Sequence, residues 1–166
     1  SIDPNVIAFI RYRPELLFDF DKDSVAWASP RTWESVSDIV KADSKGMVVN
    51  SQDQSLIGGT VGDSVAIEFC AFMGMVNTLP DVSAIIKNPE TYEISDDPSV
   101  LYALTGALAR RSDAPNFDAI ITYMTRDEMS NEFAVLCIND AITVNPKLAK
   151  TKAYVDFMGK YQHIMS

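Results

Sequence analysis

Few side chains in this sequence have the type and spacing that chemistry uses, and Arg31 stands first among them. It follows Ser29 and Pro30 and precedes Trp33, Val36 and Val40, apolar residues at helical spacing. Ser29 suits the N-cap, and Pro30 suits the first helical position, where a missing N–H costs nothing. A cation in that first turn faces the positive end of the helix macrodipole. An anion bound beside it would remove the conflict, and helix N-termini are natural anion sites. A plain surface residue of the first turn is the alternative reading of Arg31.

The other candidates weaken when their spacing is checked. Asp19, Asp21 and Asp23 alternate as calcium ligands do. Counted as an EF-hand loop, however, the glycine position holds Ser24 and the closing glutamate position holds Pro30, so an acidic solvated loop is expected. Gly58, Gly59 and Gly62 lack the Gly-Lys-Ser/Thr of a phosphate loop and follow no strand, and they read as a helix ending. Glu68, alone in an apolar run, is expected at a rim or in a salt bridge, a functional carboxylate being the other reading. Arg110 and Arg111 end a helix, where cations suit the dipole, and could also meet an acidic partner. His163 is the single histidine and has no second histidine or paired cysteine to complete a metal site. Cys70 and Cys137 lie in apolar helical runs and are expected as buried free thiols. No triad, di-iron pair, zinc motif or phosphate loop is present, so no catalytic or metal centre is expected within these residues alone.

Composition narrows the partners. With 47% hydrophobic and 22% charged residues, the 166-residue chain is ordinary for one globular domain with a sizeable core. A net charge of −9 argues against binding nucleic acid or an anionic membrane, both of which need a cationic surface. No signal peptide is visible, and the apolar run 65–76 is interrupted by Glu68 and Gly74 and too short to span a bilayer. A soluble, cytoplasmic protein is expected. The chain opens on Ser1 within a few residues of a helix, so a fragment of a longer protein, or a processed product, is expected.

Periodicity and punctuation predict helices throughout. Residues 4–12 form the first, stopped by Pro14, after which Leu16, Leu17 and Phe18 are expected against the core. The Arg31 helix runs to about Asp43 and ends at Ser44-Lys45-Gly46. A short helix over 52–60 follows, and Asp63 is expected to cap the most hydrophobic one, 64–79, apolar nearly all round and hence central to a bundle. Further helices are predicted over 82–87, 98–111 and 117–126, the last capped by Asn116 or Ser112. Another is capped by Ser130 and Asn131, with Phe133, Val135, Leu136, Ile138 and Ile142 inward. The final helix, 148–164, presents Tyr154, Val155, Phe157, Met158 and Tyr161. The fold class is therefore all-α, a multi-helix bundle with a central hydrophobic helix.

Two blocks carry a family resemblance. Ala28-Ser29-Pro30-Arg31 resembles the sensor-2 motif that opens a lid helix in MoxR-like AAA+ ATPases, and the runs 8–17 and 29–37 together resemble bacterial and phage-encoded members. Residues 57–62 and 66–69 are similar to the same proteins. The resemblance implies a lid-like part over 1–62 and a helical extension over 63–166, both belonging to the C-terminal region of a longer ATPase. It implies that Arg31 reaches the γ-phosphate of ATP, with Mg²⁺, held by an upstream ATPase domain of the same protein. Arginine suits that task because its planar fork bonds phosphate oxygens and stays charged. It further implies neighbouring subunits in a ring oligomer and a protein substrate that hydrolysis remodels. Arg11 and Arg13 fall in the matching block; packing, subunit contact and phosphate contact all stay open for them. Walker A, Walker B, sensor 1 and the arginine finger have no counterpart here, so this chain alone is not expected to hydrolyse ATP. The rival reading is a non-enzymatic acidic helical adaptor for a protein partner.

Overall fold

Proline and short polar residues set most of the helix starts. A computed structural model describes residues 1–20, 22–42 and 51–165, with the side chains of 51 and 162–165 left aside. Among the described residues every regular element is helical, an all-α arrangement, with one isolated antiparallel bridge between Asp19 and Ala28. The helices are α1 (Pro4–Tyr12), α2 (Pro30–Ala42), α3 (Ser51–Val61), α4 (Asp63–Val76), α5 (Val82–Lys87), α6 (Pro98–Arg111), α7 (Phe117–Met124), α8 (Asn131–Val144) and α9 (Lys152–Met165). Two 3₁₀ turns, Pro14–Leu17 and Pro146–Lys150, precede α2 and α9 respectively. The expected helix end at Asp43 to Gly46 lies outside the described residues.

The chain divides into two compact units. The first comprises Ser1–Leu79 and Pro98–Ala103, the second Pro80–Asp97 and Leu104–Ser166. The boundary drawn from sequence at 62/63 thus falls inside the first unit, at the corner between α3 and α4.

In the first unit α2 packs on α1 and α3, and α4 packs on α1 and α3. Their shared core is a set of rings. Phe9 lies 5.6 Å from Trp33, 5.2 Å from Phe69 and 5.4 Å from Phe72, with Trp33 5.6 Å from Phe69. These are mostly edge-to-face contacts, which the ring quadrupole favours. Two long-range hydrogen bonds fix the parts: Asp3 N–H donates to Ser37 Oγ (2.7 Å), and Trp33 Nε1–H donates to the Leu16 carbonyl (2.8 Å). Asp3 also caps α1 by accepting from Asn5 N–H at 2.8 Å.

Three expectations are corrected here. Leu16 is buried, but Leu17 and Phe18 turn outward, because successive side chains of a 3₁₀ turn diverge and Leu16 takes the inward position. Gly62, not Asp63, is the residue before α4. Its φ of +95° is open only to glycine without strain, and an added Cβ would stand 3.2 Å from the Ala26 carbonyl oxygen. Helix α4 is not apolar-buried all round: Val65, Ala66, Phe69, Phe72 and Met73 face in, while Ile67 is 57% exposed.

The second unit is built on α7, which packs against α5, α8 and α9. Tyr123, fully buried, donates from its hydroxyl to the Glu93 carbonyl (3.1 Å), and Arg126 donates to the Tyr92 carbonyl (2.5 Å). Together they fasten the non-helical run before α6 onto α7. Burial raises the Tyr123 phenol to about 12, partly offset by the Arg126 charge. Helix α8 presents Phe133, Ala134, Cys137, Ile138 and Ala141 inward, so Val135, Leu136 and Ile142 sit at its flanks, half-buried. Its start is as expected, with Ser130 accepting from Glu132 N–H. Ser112 and Asn116 do not cap α7 with their side chains: Ser112 donates back to the Leu108 carbonyl, and Asn116 to that of Arg111. The final helix starts later than expected, because Pro146–Lys150 forms its own turn with Leu148 buried, and Val155 faces outward.

Candidate functional site

Helix α2 begins with a reciprocal cap. Ser29 N–H donates to Thr32 Oγ1 at 2.8 Å, and Thr32 N–H donates to Ser29 Oγ at 3.3 Å. This is a capping box with threonine in the usual place of glutamate or glutamine. Trp33 N–H then closes the first turn on the Ser29 carbonyl (3.0 Å), while its ring is locked among Phe9 and Phe69. Just upstream, Ala28 is fully buried and its carbonyl accepts from Asp19 N–H at 3.0 Å. The base of Arg31 is therefore fixed on both sides.

Arg31 itself is exposed, and among the described residues no ion pair engages it. Of the first three helical residues, Pro30 has no N–H and that of Thr32 is used by Ser29. The guanidinium is thus the charged donor at this end of α2. A single fork on a fixed base can contact one side of an anion but cannot enclose a triphosphate. Arg31 can offer an anion one contact from the side. For Mg²⁺, no group of three or more His, Cys, Asp or Glu placed to hold a metal occurs among the described residues.

The remaining candidates have structural partners. Arg13 joins Glu15 (2.5 Å) and Glu68, which explains the carboxylate amid the apolar run of α4 as the far end of a bridge from the α1 terminus. The hydrogen bond from Arg13 holds the Glu15 carboxyl below its ordinary range, and reciprocally Glu15 raises Arg13. Gly58 and Gly59 lie within α3, and a Cβ at buried Gly58 would meet Asp63 Oδ1 at 2.5 Å, so the cluster serves a close helix corner. Burial raises both thiols: Cys70, half-buried, and Cys137, fully buried. Asp21 and the His163 side chain lie outside the described residues. In the second unit, an open cleft of 580 Å³ is lined by Arg126, Ser130 and Lys160. Its Arg126 is already bonded to Glu128 (2.9 Å) and Tyr92.

One feature escaped the sequence reading. Between the Pro14–Leu17 turn and α2, apolar side chains face water: Leu17 41%, Phe18 64%, Phe20 58%, Val25 100% and Trp27 38% exposed. Phe20 and Trp27 meet edge to face at 5.3 Å. Bulky rings in a stretch with no helical or strand period were the available signal; of these residues only Leu17 and Phe18 were expected inward, and Phe20, Val25 and Trp27 were given no place. No protein-family model, curated protein or solved structure matches the chain.

Proposed function

We propose that this chain is the C-terminal helical region, lid-like part plus extension, of a MoxR-like AAA+ ATPase, and that Arg31 is its sensor-2 arginine. The single observation that carries the reading is an exposed guanidinium on a helix start that Ser29, Thr32 and Trp33 hold rigid. When bound to the upstream α/β domain, ATP with Mg²⁺ supplies the phosphoanhydride that is hydrolysed. Arg31 donates to γ-phosphate oxygens from the lid side, and its fixed base makes helix position depend on whether that phosphate is present. The dipole conflict at the first turn of α2 is relieved by the same anion. The parent protein acts in the cytoplasm on a protein substrate, in a ring of identical subunits.

The reading requires a coding frame that continues upstream into Gly-x-x-x-x-Gly-Lys-Ser/Thr. In that complete protein Arg31→Ala lowers turnover at saturating ATP by about 10²-fold, the loss typical of one preorganised donor to developing charge. Arg31→Lys restores little, because a lysine lacks the fork. Turnover unchanged in Arg31→Ala removes Arg31 from the mechanism, and a frame lacking the phosphate loop removes the ATPase reading.

A further inference from the structure

The run 88–97 connects α5 to α6 without helix or strand, and none of its residues is buried. The Thr91 and Tyr92 N–H groups close a turn on the Asn88 carbonyl (3.2 and 2.9 Å). Beyond that turn, the amides of 93–96 donate to no backbone group among the described residues. What ties the run down comes from α7. Arg126 Nη1–H takes the Tyr92 carbonyl and the Tyr123 hydroxyl takes the Glu93 carbonyl, from positions about one helical turn apart. Tyr123 is fully buried although its hydroxyl ends at this run, so the run covers the phenol. The other arm of the Arg126 fork rests on Glu128 at 2.9 Å, which fixes the direction of the guanidinium. The helix beneath is held differently, by its buried Phe117, Ile120 and Met124.

We infer that 88–97 is a strap that opens on its own while α7 stays folded, with Arg126 as its latch and Glu128 as the residue that positions the latch. Segments with little buried surface and few backbone bonds open at lower free energy than the helices they lie on. Two side-chain bonds close this one, whereas α7 is kept by its packing. Opening brings the Tyr123 phenol to solvent, so the strap gates a tyrosine that the closed fold hides. The latch is independent of any phosphate contact by Arg31.

Native-state amide exchange of the full chain in rising denaturant needs no variant. Exchange is expected to be independent of denaturant at Thr91 and Tyr92, and to accelerate steeply at Ile120, whose N–H bonds the Asn116 carbonyl at 3.1 Å. An equally steep dependence at Thr91 and Tyr92 overturns the strap, because it then opens only with α7. A glutamate-specific protease reads the same opening at Glu93, since cleavage tracks the open population, and Glu132 in α8 reports wider unfolding. Arg126→Gln, with an unchanged far-ultraviolet circular dichroism spectrum, is expected to speed cleavage at Glu93 about tenfold and to leave Glu132 unaltered. Glu128→Gln is expected to speed it about threefold, and to add nothing in the Arg126→Gln background. Nitration of Tyr123 by tetranitromethane is expected to rise in step with cleavage. Unaltered cleavage at Glu93 in Arg126→Gln, or equal acceleration at Glu132, removes the latch. Additive effects of the two substitutions remove Glu128 from it, and a Tyr123 that stays unreactive in Arg126→Gln overturns the gating.

Discussion

Phe9, Trp33, Phe69 and Phe72 gather ring against ring at the centre of the first unit, whereas in the second unit α8 turns Ala134, Cys137, Ile138 and Ala141 inward beside Phe133, with further buried rings on α7 (Phe117, Tyr123) and α9 (Phe157, Tyr161). Rings concentrate contact into a few large side chains and demand edge-to-face geometry. Small and branched residues spread the same burial over many positions and let helix backbones approach. The units also differ at the rim. The first uses a charged bridge, Glu15–Arg13–Glu68, while the second fastens loop carbonyls with Tyr123 and Arg126. The first unit should thus be sensitive to single ring deletions, and the second to the loss of its fasteners.

The strongest challenge to that contrast is Trp33→Ala. It removes a buried ring and the bond to the Leu16 carbonyl, and should destabilise the first unit by about 3–5 kcal/mol. The free thiols report the units separately, Cys70 in the first and Cys137 in the second. In a denaturant series, Trp33→Ala is expected to expose Cys70 to a thiol reagent before Cys137. Simultaneous exposure would erase the distinction between the units.

Glycine substitutions should change sign between them. Gly62→Ala forces a side chain into a positive-φ backbone against the Ala26 carbonyl and should cost about 1–3 kcal/mol. Gly159→Ala, on α9 with no atom within 4 Å of the added Cβ, should stabilise by about 0.5–1 kcal/mol. Thermal unfolding of both variants decides whether the contrast holds.

Tyr123→Phe should have the smallest effect near neutrality, about 1 kcal/mol for one lost hydrogen bond to an accessible carbonyl. Its pH dependence is more telling. The folded phenol sits at about 12 against an ordinary 10.0, so the proton is held more tightly in the folded state. That stabilisation is fully present below pH 10 and is lost as the pH rises from there toward 12. The phenylalanine variant should show a flatter alkaline limb in unfolding, measured by circular dichroism against pH.

Sequence reading succeeded where the cause is local. Pro30 fixed one helix start and Ser130 capped another, because a proline ring or a short polar side chain acts within one turn. It failed where the cause lies far along the chain. The partner of Glu68 is Arg13, 55 residues earlier, and Trp33 anchors to Leu16. Leu17, Phe18 and Val155 are apolar in type but face outward, and hydrophobicity alone does not encode direction. The division into units was invisible for a related reason: α6 reads as one uninterrupted pattern, yet its residues 98–103 pack with the first unit. Of the candidate site, the helix start around Arg31 was legible as a cap and a proline. Its threonine half, Thr32 answering Ser29, emerged only from the coordinates.

Gly62 and Arg31 would leave opposite marks in the evolutionary record. At position 62 a backbone angle and a carbonyl 3.2 Å from an added Cβ penalise any side chain, whatever the protein does. Descendants that keep glycine there would be obeying geometry alone. Arg31 faces solvent at the start of α2, where the dipole slightly disfavours it. Descendants that keep arginine there would be answering to something outside the fold.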